Sequence, residues 1–197
     1  MTPILDQVRA HLHRHFAGVQ SDSASVTFLG TEPIEVLRLR GSDGLVHYVS
    51  LGCSRYPMTD PAQIIDDQTR GPRAEVVLRL RDPGPVTGIA RSLAVLAATP
   101  AVEGLVLTAD ALVDLGSPLW ARPSARVPFT AVLLGPSDID DLPLEPPRDP
   151  VRFLLATPIT ATEAAWVRLK GAEAMRQAWQ NDGVDVLNPN RPAAQPD

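Results

Sequence analysis

Between positions 4 and 16 the apolar residues Ile4, Leu5, Val8, Leu12 and Phe16 recur every three or four places, with Asp6, Arg9 and three histidines between them. That spacing predicts an amphipathic helix ending near Gly18, which docks by its apolar face. After the turn-rich "GVQSDSAS" the chain turns to β-branched and apolar runs: "VTFL" from 26, "IEVLRLR" from 34, "LVHYVSL" from 45 and "AEVVLRLR" from 74. These read as strands. "GSDG" at 41–44 suits a tight antiparallel hairpin between the second and third. In the fourth, Val76, Leu78 and Leu80 alternate with Glu75, Arg79 and Arg81, the pattern of a strand with one wet face.

In the second half, "TGIARSLAVLAATP" predicts a helix from about Thr87 to Ala98, with Pro100 beyond its end. The apolar runs "EGLVLT" from 103, "FTAVLLG" from 129 and "VRFLLAT" from 151 have the length of strands. Thr160 and Glu163 form a T-x-x-E capping box ahead of one long helix, "AAWVRLKGAEAMRQAWQ", which "NDG" at 181–183 stops. Two proline-rich connections, at 116–128 and 135–150, are long for a compact domain, and loops of that length are often functional. The tail 188–197, "NPNRPAAQPD", is polar and proline-rich and is predicted to stay disordered. The resulting expectation is a single domain over 1–187, of class α+β: a mixed, mainly antiparallel sheet packed with N-terminal, central and C-terminal helices.

Composition narrows the partners. At 197 residues the chain buries a sizeable core without a disulfide, and its one cysteine, Cys53, can form none within the chain. This fits a reducing, cytoplasmic setting. The opening residues lack the continuous apolar run of a secretion signal, and the longest such run, "LAVLAA" at 93–98, is far too short for a membrane span. A net charge of −5 with no basic stripe argues against a nucleic-acid partner. Seventeen of the 18 basic residues are arginine, Lys170 being the exception, which reflects genome composition and not function.

The candidate chemistry centres on "VHYVSLGCSRYPMTDP", residues 46–61. Cys53 with His47 is the one pairing that suggests a thiol-dependent hydrolase, since a thiolate needs a base or a cation to form at neutral pH. No local signature of a cysteine hydrolase accompanies it, and a lone cysteine at a strand end is more often a small buried hydrophobe. His11 and His15 lie one helical turn apart, yet two ligands without a third make no metal site, and "DIDD" at 138–141 lacks the glycine and distal glutamate of a calcium loop. Glycine-rich phosphate loops, nucleophile elbows and C-x-x-C pairs are missing from the sequence, so neither metal nor cofactor is expected. Tyr56 beside Pro57 and Trp120 in its proline-rich loop suit contact better than catalysis, because aromatic groups on restrained loops lose little entropy on binding. Trp166 and Trp179 are assigned to the core.

The succession "EVLRLRGSDGLVHYVSLGCSRYPM", "RAEVVLRL", "LWARPSARVPFTAVLLG" and "PVRFLLATPITATEAAWVRLKGAEAM" resembles the Suppressor of fused domain family, in its bacterial branch, over about residues 25–187. The resemblance implies an α+β protein without established catalytic activity. Animal members bind an extended transcription-factor peptide between two subdomains, of which this chain resembles one. Bacterial members include proteins proposed to neutralise toxins by binding them. In the family the place of Cys53 commonly carries a bulky apolar residue, which implies packing and not nucleophilic attack. The expected function is therefore a non-enzymatic cytoplasmic protein-interaction module for an extended peptide or a toxin, with Ser54, Arg55, Tyr56 and Trp120 as partner-binding candidates.

Overall fold

The computed structural model describes residues 3–59, 67 and 69–195. Along the chain these form α1 (Ile4–His15), β1 (Gln20–Val26), β2 (Ile34–Arg40), β3 (Leu45–Leu51), a single 3-10 turn (Cys53–Arg55) and β4 (Arg73–Arg81). There follow α2 (Ile89–Glu103), β5 (Leu112–Asp114), β6 (Phe129–Pro136), β7 (Val151–Thr160), α3 (Ala161–Lys170) and α4 (Ala172–Asn181). The seven strands make one sheet in the order β1-β2-β3-β4-β7-β6-β5. Every pairing is antiparallel except β4 with β7, where Arg73 to Val77 lie beside Val151 to Leu155. A parallel pair cannot be closed by a hairpin, so the chain between β4 and β7 crosses over, carrying α2 onto the sheet before β5 and β6 are laid down. The fold is α+β, as the sequence predicts.

Each face of the sheet has its own helices. On one, Ile89, Leu93, Leu96 and Ala97 of α2 pack with Val36, Val46, Tyr48, Val76, Leu78 and Leu80. On the other, Val8 and Leu12 of α1 meet Leu37, Leu39, Val49, Leu51, Val77 and Phe153. Farther along, Ala164, Val167, Met175 and Trp179 of α3 and α4 cover Ala131, Leu133 and Ile159. The wet face expected at β4 is thus largely dry. Glu75 is fully buried, and α1 together with Ile139 and Leu142 of the 135–150 loop supplies the cover. Only Arg79 and Arg81 reach outward, to Asp138 and Asp185.

Four other expectations are corrected. Residues 20–25, read as a turn, belong to a strand that pairs along its whole length with β2, while "VTFL" contributes only Val26 to it. β1 is polar and exposed up to Val26, so burial left no periodic signature on it. "EGLVLT" is not a strand, because α2 runs through Pro100 to Glu103. Proline lacks the N–H that would reach Leu96, and the Thr99 hydroxyl donates to that carbonyl instead, at 2.8 Å. The helix ends on Gly104 (φ 68°), whose N–H reaches Pro100 O in the αL form of helix closure, while Leu105 N–H reaches Thr99 O. The long terminal helix is two helices, divided at Gly171 with φ 94° and ψ 166°. Finally, the tail through residue 195 packs: Arg191 and Ala194 are buried, and the disorder expected for 196–197 lies outside the described residues.

Candidate functional site

The β3–β4 ladder stops at Val49 opposite Val77, and there a side-chain network takes over from the backbone. The Ser50 hydroxyl accepts the Val76 N–H at 2.9 Å and donates its own hydrogen to Glu75 Oε2. Glu75 Oε1 accepts from the Gly52 N–H at 2.9 Å, the Ser54 N–H at 3.0 Å and the Ser54 hydroxyl at 2.6 Å. From the same strand, Arg73 Nη1 donates to the carbonyls of Ser54 and Arg55, at 2.9 and 3.0 Å. The turn after β3 is thereby held at both its amides and its carbonyls. Gly52, at φ 148°, is required here, since a Cβ would stand 3.3 Å from Ile34. Burial raises the Glu75 carboxyl above its ordinary value despite the four donors that favour its charge.

What the turn presents is Arg55 and Tyr56. Arg55 Nε lies 2.8 Å from Glu32 Oε2, and its Nη2 donates to Pro33 O at 3.2 Å. The Tyr56 hydroxyl donates to Glu32 Oε1 at 2.9 Å, which also raises the phenol's pKa, while 59% of the residue stays exposed. Beside them opens a groove of ≈ 550 Å³, walled by Gly30, Thr31, Glu32 and Ile34, by Gly52, Cys53 and the segment 55–59, and by Ala97, Ala98, Pro100 and Ala101 at the end of α2. Exposed Leu29 and Val102 directly adjoin the lining segments in the chain, and Leu105 follows α2. The site is mixed in character: Ile34, Pro57, Met58 and the α2 residues are its apolar part, and Thr31, Thr59, the Glu32–Arg55 ion pair and the Tyr56 phenol are its polar part.

Two of the four partner-binding candidates stand at this groove and two do not. Arg55 and Tyr56 line it. Ser54 is fully buried, spent on Glu75 and Arg73, so the expectation that it faces a partner is corrected. Trp120 is 2% exposed, packed with Phe129 at 5.4 Å between ring centres in the α2-side core, and is no surface anchor. Cys53 also lines the groove, but burial and then the nearby Glu75 push its thiol well above the ordinary range. His47 does not approach it. That ring packs against Phe16 on the α1 side, its pKa lowered by burial and by Arg79, whereas Cys53 packs into the α2-side core. His11 stacks on Phe153 and bonds to the Asp140 carbonyl, and His15 lies edge-on to Phe16. Among the described residues no three His, Cys, Asp or Glu side chains converge to hold a metal. Sequence reasoning missed Glu75 and Glu32: alternation placed the first on a wet face, and nothing local marks the second as the partner of residues more than twenty positions away.

The family model described as Suppressor of fused protein (SUFU) matches residues 30–192. Among solved structures, a protein described as a SUFU homologue from Neisseria gonorrhoeae superposes with a TM-score of 0.70 at 18% identity, covering 96% of each chain. The Sufu–Fu complex gives 0.69 at 14% identity, over 98% of this chain and 92% of the other. Drosophila Suppressor of Fused gives 0.66 at 17% identity, and this chain spans 51% of that protein's length. No curated protein matches the chain. The sheet and helices superpose along nearly their whole length, and the family model runs from the groove's first wall to the buried tail: the chain belongs to the Suppressor of fused family.

Proposed function

We propose that the chain is a non-enzymatic protein-binding module whose partner, an extended peptide segment, seats in the groove beside Tyr56. The observation that carries this reading is the pinned turn. Glu75 and Arg73 hold Gly52 to Arg55 from below, so Tyr56 is an exposed aromatic on a restrained backbone, and its immobilisation costs little when a partner arrives. The apolar lining accepts side chains, and Glu32, Arg55 and the phenol supply orientation at the rim. A solved relative of the same fold is a complex of Sufu with Fu, which favours association with protein over chemistry on a small molecule. The separation of His47 from Cys53, and the raised pKa of that thiol, weigh against the thiol-hydrolase alternative. The proposal includes an immunity-type role, in which the bound protein is a toxin, and sets the encounter in the cytoplasm; among the described residues no helix is long and apolar enough to cross a membrane.

A partner captured from native cytosol and then purified tests the reading by titration. Tyr56→Ala is expected to weaken binding about tenfold or more, the loss typical of a central aromatic contact. Leu169→Ala, an exposed apolar residue of α3, is expected to leave binding unchanged. Equal affinities for both variants and the parent chain would remove Tyr56 from the site.

A second reading rests on the sheet edge. The sheet's two edge strands are β1 and β5, and β1 is the longer and the more exposed of them. An extended segment added to the sheet as a further strand would pair with residues 20–26.

A further inference from the structure

Outside the groove, the least ordinary cluster in the molecule lies where the tail crosses the start of α3. Arg191 is 4% exposed, and its guanidinium is recognised from several sides at once. Nη1 lies 2.7 Å from Glu163 Oε1, and Nη2 lies 3.1 Å from Glu163 Oε2 and 2.9 Å from the Pro158 carbonyl. The ring centre of Phe129 is 5.0 Å from its central carbon, and that of Trp179 is 5.7 Å away. A two-pronged carboxylate, a carbonyl and two aromatic faces are the groups that select a planar guanidinium over an ammonium.

The receiving side is built without the tail. Thr160 N–H donates to Glu163 Oε2 at 2.8 Å and Trp179 Nε1 donates to Glu163 Oε1 at 3.1 Å, so both oxygens are aimed by α3 and α4 before Arg191 arrives. The tail's backbone gives Glu163 only one bond, from Ala194 N–H at 3.1 Å. We infer that the cleft formed by Glu163, Pro158, Phe129 and Trp179 is an arginine-recognition site, that its ligand class is the guanidinium group, and that the chain fills it in cis with its own strap of residues 188–195. The covalent link supplies a high effective concentration and not the recognition itself. A guanidinium presented in place of the Arg191 side chain is therefore taken by the same site.

Chemical rescue of the full chain tests this. Arg191→Ala keeps the strap but empties the cleft. Its melting temperature is expected to fall, and then to rise saturably as methylguanidinium chloride is added in the millimolar range, because a ligand bound by the folded state alone shifts unfolding by mass action. Methylammonium chloride at equal ionic strength is expected to give no such rise, nor is methylguanidinium with the parent chain or with the double variant Arg191→Ala, Glu163→Gln. Absence of rescue, equal rescue by methylammonium, or an equal rise in the parent chain or double variant would overturn the inference. If Arg191→Ala does not fold alone, its refolding yield with and without methylguanidinium decides instead: recovery supports the site, and no recovery refutes it.

Discussion

Glu75 decides the shape of the candidate site although it never reaches the surface. A fully buried carboxylate with four donors and, among the described residues, no bonded cation is held between two costs, desolvation against unmade hydrogen bonds, and here desolvation wins. The folded chain thus binds the Glu75 proton more tightly than the unfolded chain does. Its stabilising contribution is complete below the ordinary glutamate value of about 4.3 and is lost as pH rises through the raised folded value. Glu75→Gln retains an acceptor for the Gly52 and Ser54 amides and can donate to Ser50, but it has no proton to lose. Urea midpoints measured from pH 4 to 8 are expected to decline with pH more steeply in the parent chain than in Glu75→Gln; parallel profiles would contradict the assignment. Cys53→Met follows the same logic of packing over chemistry. It is expected to leave both fold and partner affinity intact, checked by circular dichroism and titration, whereas a dead protein would restore the thiol-enzyme reading.

Among the elements, α3 shows how far local sequence reaches. Its capping box was legible from Thr160 and Glu163 and is present as read, with both reciprocal bonds made. What the local pattern did not contain is that Glu163 is also the buried counter-ion of Arg191, 28 positions on. Burial alone would raise the Glu163 pKa, but Arg191 together with the Thr160 and Trp179 donors outweighs it, and the carboxyl is held low. A lost cap costs about 1 kcal/mol, but breaking a buried pair costs about 3–5 kcal/mol, so Glu163→Ala is expected to destabilise by the larger amount in chemical denaturation. A loss of 1 kcal/mol or less would mean that the pair contributes nothing. In α2 the error ran the other way: proline was read as a stop, whereas one hydroxyl on the preceding residue supplied the missing donor. Thr99→Val, which keeps the shape and removes that hydroxyl, is expected to cost about 1 kcal/mol, seen as a lowered urea midpoint. An unchanged midpoint would show that Leu96 O needs no such partner.

At the level of the whole molecule, the sheet's core strands were legible because burial demands β-branched and apolar runs of strand length in β2, β3, β4, β6 and β7. β1 was not, since an edge strand of small polar residues buries almost nothing, and neither was the parallel β4–β7 pairing, which depends on a crossover of some seventy residues that no local pattern encodes. The groove was half legible: Arg55 and Tyr56 were singled out by their turn, while the wall from α2 and the Gly30–Ile34 segment comes from distant sequence. The family expectation stands on the match over residues 30–192. The central claim is that a protein partner meets this molecule at Tyr56. Site-specific photocrosslinking in the native cytosol measures that directly, with a benzoylphenylalanine placed in turn at positions 56, 23 and 169, which sample the groove, the β1 edge and a remote exposed site. The account predicts a discrete crosslinked protein from position 56 that is missing from position 169, with position 23 reporting on strand addition. The same crosslinked species from all three positions, or from 169 while 56 gives none, would contradict it.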